Sequence, residues 1–93
     1  MENTKICENT IENMKFELFT NNNKKCYQTL TISTPGAKRT TNKIAPVDFF
    51  DIASAILCSN DLDAFIDAVN GTWSDELLES MINDVFDEAN GLI

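Results

Sequence analysis

The chain contains no histidine. With it go the commonest general base, the commonest zinc ligand and every serine–histidine or cysteine–histidine nucleophile pair. Only three glycines are present, at 36, 71 and 91, far from one another, which excludes a glycine-rich phosphate loop. The cysteines, Cys7, Cys26 and Cys58, are odd in number and widely spaced, so they do not make a disulfide framework. Cys26 in a strand and Cys58 beside Ile56 and Leu57 are expected to be buried and inert. No apolar run approaches the roughly 20 residues that span a bilayer. The polar start Met1–Lys5 has no apolar stretch of signal-peptide length behind it. A cytoplasmic location with no membrane partner is therefore expected.

The most informative absence is one of sign: no Lys or Arg follows Lys43. Residues 1–43 hold Lys5, Lys15, Lys24, Lys25, Lys38, Arg39 and Lys43 against Glu2, Glu8, Glu12 and Glu17. Residues 44–93 hold only acids: Asp48, Asp51, Asp61, Asp63, Asp67, Asp75, Glu76, Glu79, Asp84, Asp87 and Glu88. The net charge of −8 is thus a modestly positive half joined to a strongly negative one. Asymmetry of this kind bears on partner choice.

Length and a hydrophobic fraction of 43% suit one compact domain over 1–93. Residues 1–10 show no periodicity and are expected to form a flexible arm. The region 11–44 reads as sheet. Met14, Phe16 and Leu18 alternate with Lys15, Glu17 and Phe19, the period of a half-buried strand. Asn21-Asn22-Asn23-Lys24 reads as a turn. Residues 26–33 form a second strand, with Cys26, Gln28, Leu30 and Ile32 on one face and Tyr27, Thr29 and Thr31 on the other. Residues 33–43 read as a loop around the Pro35-Gly36 turn, with a short third strand near Thr40–Ile44.

From residue 45 the period becomes helical. Pro46 suits a first turn, and Val47, Phe50, Ala53, Ala55, Ile56 and Leu57 supply the apolar positions of a first helix, with Asp48 and Asp51 favoured near its N-terminus. A second helix begins at a Ser59 or Asn60 cap, carries Leu62, Phe65, Ile66 and Val69, and ends at Asn70-Gly71. A third begins at a Thr72 or Ser74 cap, carries Leu77/Leu78, Met81/Ile82, Val85/Phe86 and Ala89, and ends at Gly91. A lone hairpin is marginal in water. The expected fold is therefore α+β: an N-terminal antiparallel hairpin or three-stranded sheet packed against three C-terminal helices. Phe16, Leu30, Ile32, Phe50, Phe65, Leu78, Ile82 and Val85 are expected to share one core.

Sites of chemistry are sparse. Asp61-Leu62-Asp63 begins like a calcium loop, but Ala64-Phe65-Ile66 abandons the alternate oxygen ligands such a loop needs, so these acids read as helix-start residues and no metal or cofactor is expected. Asn70-Gly71-Thr72 matches a glycosylation sequon but reads as a turn. Seven bases against fifteen acids argue against direct nucleic-acid binding. No acid stands in a pattern that buries it and shifts its pKa, so the chain does not read as an enzyme. What remains is the acidic helical surface: Asp75, Glu76, Glu79, Asn83 and Asp87 opposite the apolar stripe of the third helix, Asp63 and Asp67 as a second row, and Trp73 as an aromatic anchor beside them. Acids three or four residues apart lie about 5–6 Å apart along a helix, a coarse imitation of a phosphate row. Such a surface suits a basic partner; the plainer alternative is a solvated face on a small homodimeric assembly module, joined through a free hairpin edge or an apolar helix face.

Phe65-Ile66-Asp67-Ala68-Val69-Asn70-Gly71-Thr72-Trp73, followed by an acidic helix, resembles the small acidic phage-encoded inhibitors that include anti-CRISPR proteins and other DNA mimics. The resemblance spans residues 14–90 and rests on composition and on the order hairpin then helices. It implies a non-catalytic inhibitor, phage or mobile-element encoded, acting in the host bacterial cell. Its partner would be a basic nucleic-acid-binding protein such as a host defence nuclease or CRISPR-Cas effector. The Asn- and Lys-rich first half suits an AT-rich genome of that kind.

Overall fold

The computed structural model describes residues 3–21 and 28–91. The turn at 22–24, Lys24, Lys25, Cys26 and Tyr27 lie outside the described residues. The fold is α+β. Among the described residues a four-stranded antiparallel sheet in the order β1-β2-β3-β4 precedes three helices. The strands are β1 (Asn3–Ile11), β2 (Met14–Asn21), β3 (Gln28–Thr34) and β4 (Ala37–Ile44). A single 3-10 turn at Pro46–Asp48 leads into α1 (Phe49–Cys58), and α2 (Leu62–Val69) and α3 (Asp75–Ala89) follow.

The flexible arm expected for residues 1–10 is strand from Asn3 onward, where β1 runs to Ile11. It pairs with β2 from Asn3↔Asn21 to Ile11↔Met14, with a bulge between Lys5 and Cys7. Its inward positions are Cys7, Asn9 and Ile11, and the polar Asn9 conceals the period of two. That asparagine serves the structure directly. Its Nδ2 donates to the Ile56 carbonyl at 2.9 Å, satisfying one of the orphan carbonyls at the C-terminus of α1. The β1–β2 turn consists of Glu12 (φ 57°) and Asn13 (φ 91°), the positive pair that a two-residue hairpin of matching twist requires. Glu12 is an unusual residue for that conformation. Its carboxylate accepts a hydrogen bond from Leu62 N at 2.7 Å, at the positive end of α2, and so ties the turn to the helical layer.

The segment 33–43 is likewise strand rather than loop. Thr34↔Ala37 closes directly around Pro35-Gly36, and β4 runs on to Ile44. Lys38, Arg39, Thr40 and Thr41 lack an apolar face because β4 is an edge strand whose interior contribution is confined to Ala37 and Ile44.

The inner face of the sheet holds Met14, Phe16, Leu18, Leu30 and Ile32, in register as Phe16↔Ile32 and Leu18↔Leu30. Against it pack Ile52 and Ile56 from α1, Phe65 and Val69 from α2, and Leu78, Ile82 and Val85 from α3. The Phe16 and Phe65 rings meet with centroids 4.7 Å apart and their planes tilted by 42°, within the contact range of buried aromatic pairs.

Phe50 is a correction to the expected core. It is 81% exposed, and Val47 and Leu57 are exposed with it. α1 is apolar on more than one side, so periodicity alone does not choose its phase. The inward stripe is Ile52, Ala55 and Ile56. Phe86 and Ala89 of α3 also face solvent, whereas Leu78, Met81, Ile82 and Val85 are buried as expected. Asp61, not Ser59 or Asn60, caps α2, its Oδ1 accepting from Ala64 N at 2.7 Å. Gly71 (φ 93°) supplies the left-handed residue just after the helix.

Candidate functional site

α2 and α3 present their acids outward. Asp63 and Asp67 stand one turn apart on α2 and are exposed. On α3, Glu76, Glu79 and Asn83 are exposed, while Asp75 and Asp87 are partly covered. Asp75, Glu76 and Glu79 line one side of a groove of about 260 Å³, with Ile66, Val69 and Asn70 of the α2 end opposite them. Asn83 and Asp87 continue the row down α3 beyond the groove. Asp63 and Asp67 do not line it and form a separate row. Asp75 also has a local role, since its Oδ2 accepts from Gly71 N at 3.0 Å and closes the α2–α3 turn.

Among the described residues no base interrupts this face. Among the described residues, the single ion pair reaching an acid of the helices joins Arg39 of β4 to Glu88. Glu88 lies on the flank of α3 that meets the sheet, away from Glu76, Glu79 and Asn83. Like charges on neighbouring helical turns cost a few tenths of a kcal/mol per pair. Among the described residues no cation offsets that cost along Asp63–Asp67 or along Asp75, Glu76 and Glu79, although Asp63, Asp75 and Glu76 stand in first turns, where the helix dipole favours an acid.

Trp73 is 86% exposed, so its indole does not belong to the core. Its backbone, by contrast, is fastened. Trp73 N donates to Asp48 Oδ1 at 3.3 Å, Ser74 Oγ donates to Asp48 Oδ2 at 2.8 Å, and Ala45 N donates to Ser74 Oγ at 3.3 Å. Asp48 is 3% exposed. Read from the sequence only as an acid favoured near the start of the first helix, it is also the clip that joins the beginnings of α1 and α3. Ser74 occupies the N-cap position of α3, but its hydroxyl makes no capping bond; it donates to Asp48 and accepts from Ala45 N instead. Nothing in the pattern Pro46-Val47-Asp48-Phe49 separates such a buried acid from a solvated one; the pairing joins residues far apart in sequence.

Cys58, expected to be buried, is exposed at the end of α1, on the outward side of the phase just described. Burial pushes the Cys7 thiol above its ordinary value, which disfavours a thiolate there. Among the described residues no group of His, Cys, Asp and Glu is placed to hold a metal ion, and no helix is long and apolar enough to cross a membrane. Comparison of the chain with protein-family models, with curated proteins and with solved structures gives no match.

Proposed function

We propose that the chain is a non-catalytic, stoichiometric inhibitor that presents the acids of α2 and α3 to a basic, nucleic-acid-binding groove. The partner on this reading is a host defence protein such as a CRISPR-Cas effector, met in the bacterial cytoplasm, and the chain is encoded by a phage or mobile element. The observation that carries the reading is the unrelieved anionic face: Asp63, Asp67, Asp75, Glu76, Glu79 and Asp87 have no cationic partner among the described residues, in a half of the chain with no base at all. Repulsion stored on the free surface is relieved against a basic groove.

Long-range attraction accelerates association and is screened within roughly 8–10 Å at physiological salt. The test is binding to a purified effector nuclease, with duplex DNA as competitor, across a salt series. Affinity should fall steeply with salt, DNA should compete, and Glu79→Lys with Asp87→Lys should slow association. Flat salt dependence with an unaffected double variant favours the second reading, a homodimeric assembly module. The observation in favour of that alternative is that β1 and β4 each pair on one side only, leaving strand edges that a second copy can extend.

A further inference from the structure

Among the described residues six large apolar side chains are exposed; Ile6 of β1 and Phe86 of α3 stand apart, and the other four belong to one region. Val47, Phe50 and Leu57 recur at helical spacing along the outward side of α1 and its entry turn, and Trp73 is bonded through its backbone to Asp48, between Val47 and Phe50 in sequence. α1 therefore carries two apolar stripes, one buried against the sheet and one open. Single exposed apolar residues are ordinary; a helical row of Val47, Phe50 and Leu57, with the backbone of the exposed Trp73 tied to Asp48 at the start of that row, has the composition of an interface anchor. The backbone under Trp73 is fixed before any partner arrives, which lowers the ordering cost of binding. Beside the stripe, α1 and α2 enclose a shallow groove of about 330 Å³ with small residues in its walls, Ala55, Ala64 and Ala68 among them, and the Asp51 carboxylate on its lining.

We propose that this open side of α1, with Trp73, docks a segment of the basic partner that carries arginine beside apolar residues. One arginine stem would lie in the α1–α2 groove with its guanidinium at Asp51. The inference rests on the reading of a basic partner given above and adds where that partner is gripped. Charge selects the occupant. A stem that is apolar along its length and cationic at its tip suits a shallow groove of small side chains, Ser54, Cys58 and Ser59 with the three alanines, that has Asp51 on its lining, and guanidinium groups also stack on exposed indole and phenyl faces. A second copy pairing through the same face would set Asp51 and the other acids of a base-free half against themselves.

The single tryptophan of the chain reports on this directly. The probe is a synthetic amphipathic peptide of arginine and leucine, with a glutamate–leucine peptide of the same length as control. Both are followed by Trp73 emission and by backbone amide shifts of the full chain. The arginine peptide should move the emission to the blue, shift the amides of α1 and of residues 72–74, and lose about tenfold or more in affinity to Phe50→Ser with Leu57→Ser. Asp51→Asn should weaken it less, and circular dichroism confirms that these surface variants fold. If the peptide binds but shifts fall on Glu76, Glu79 and Asp87 while α1 and Trp73 are unmoved, the anchor is wrong and the acidic-face reading survives. Absence of binding to the arginine peptide overturns both. Equal binding of the glutamate peptide overturns the choice of occupant, as does a blue shift produced by raising protein concentration alone, which would assign the face to a second copy.

Discussion

The sheet and the helical layer handle like charges in opposite ways. On the sheet, Glu8 and Glu17 face each other directly across β1 and β2, a placement that destabilises a strand pair. Lys5 bridges them at 2.5 and 2.9 Å, and Lys15 stands within 3.8 and 3.9 Å of the same two carboxylates. On the helices, Asp63 and Asp67, or Asp75 and Glu79, repeat the same repulsion at one-turn spacing with no lysine between them. The same fold thus contains one acidic cluster neutralised within the chain and another left open. The second has no cation of its own among the described residues, and it is the surface proposed above to meet a basic partner.

The two regions nonetheless depend on one core, and the largest expected effects come from it. Ile82 of α3 and Phe65 of α2 are both buried. Truncation to alanine should cost about 2–5 kcal/mol for Ile82 and about 3–5 kcal/mol for Phe65, measured by urea denaturation. A loss below about half a kcal/mol at Ile82 would mean that α3 is not docked on the sheet, and the comparison between a supporting sheet and a displayed helix would collapse.

Next in size is the clip. Asp48 accepts from Trp73 N and Ser74 Oγ inside the protein. Asp48→Ala should cost about 1.5–3 kcal/mol, the range for bonds to a charged group, and should release Trp73 from its fixed position. Asp48→Asn, which keeps an acceptor, should lose less. If Asp48→Ala melts like the parent chain, the starts of α1 and α3 are held by apolar packing alone.

These residues also mark where sequence reasoning reaches its limit. α2 and α3 are legible because Phe65, Val69, Leu78, Ile82 and Val85 recur at helical spacing with acids between them. β1 is not, because Asn9 occupies an inward position that alternation reserves for an apolar side chain. The phase of α1 is not, because Val47, Phe50 and Leu57 make as regular a stripe as Ile52, Ala55 and Ile56, and only packing decides which one turns inward. The acidic surface is visible from composition alone. Asp48 is not, since local spacing carries no record of a partner some 25 residues away in sequence.

Smaller again is the effect of charge on the open face itself. Glu79→Lys places a cation one turn after Asp75 and Glu76, so like-charge pairs become opposite-charge pairs worth a few tenths of a kcal/mol each. With Asp87→Lys added, thermal stability should hold or rise slightly even as affinity for a basic partner falls. A clear drop in melting temperature would show that Glu79 or Asp87 makes a native contact, and the face would then be part of the scaffold rather than a displayed surface.

The smallest effect belongs to the sheet cluster, and its sign is distinctive. The hydrogen bond from Lys5, with Lys15 nearby, holds the Glu8 carboxyl below its ordinary value, and the bonds to Glu8 and Glu17 raise Lys5 above its own. A lowered carboxyl contributes stability that is present above the unfolded value and lost as pH falls through the folded one; a raised lysine contributes stability that is present below its unfolded value and lost as pH rises through the folded one. The cluster should therefore be intact from just above the ordinary carboxylate range up to the ordinary lysine range, and should loosen outside it at both ends. All four side chains are partly or largely exposed, so the effect is modest and screened by salt. Carbon-detected titration of Glu8 should give a midpoint below that of a free glutamate at low ionic strength, moving toward the free value as salt is added. Lys5→Met should abolish most of the displacement while leaving α3 unperturbed. An ordinary midpoint for Glu8 in the parent chain would mean that the lysines do not hold this cluster in solution, and that the sheet carries its opposed carboxylates as openly as the helices carry theirs.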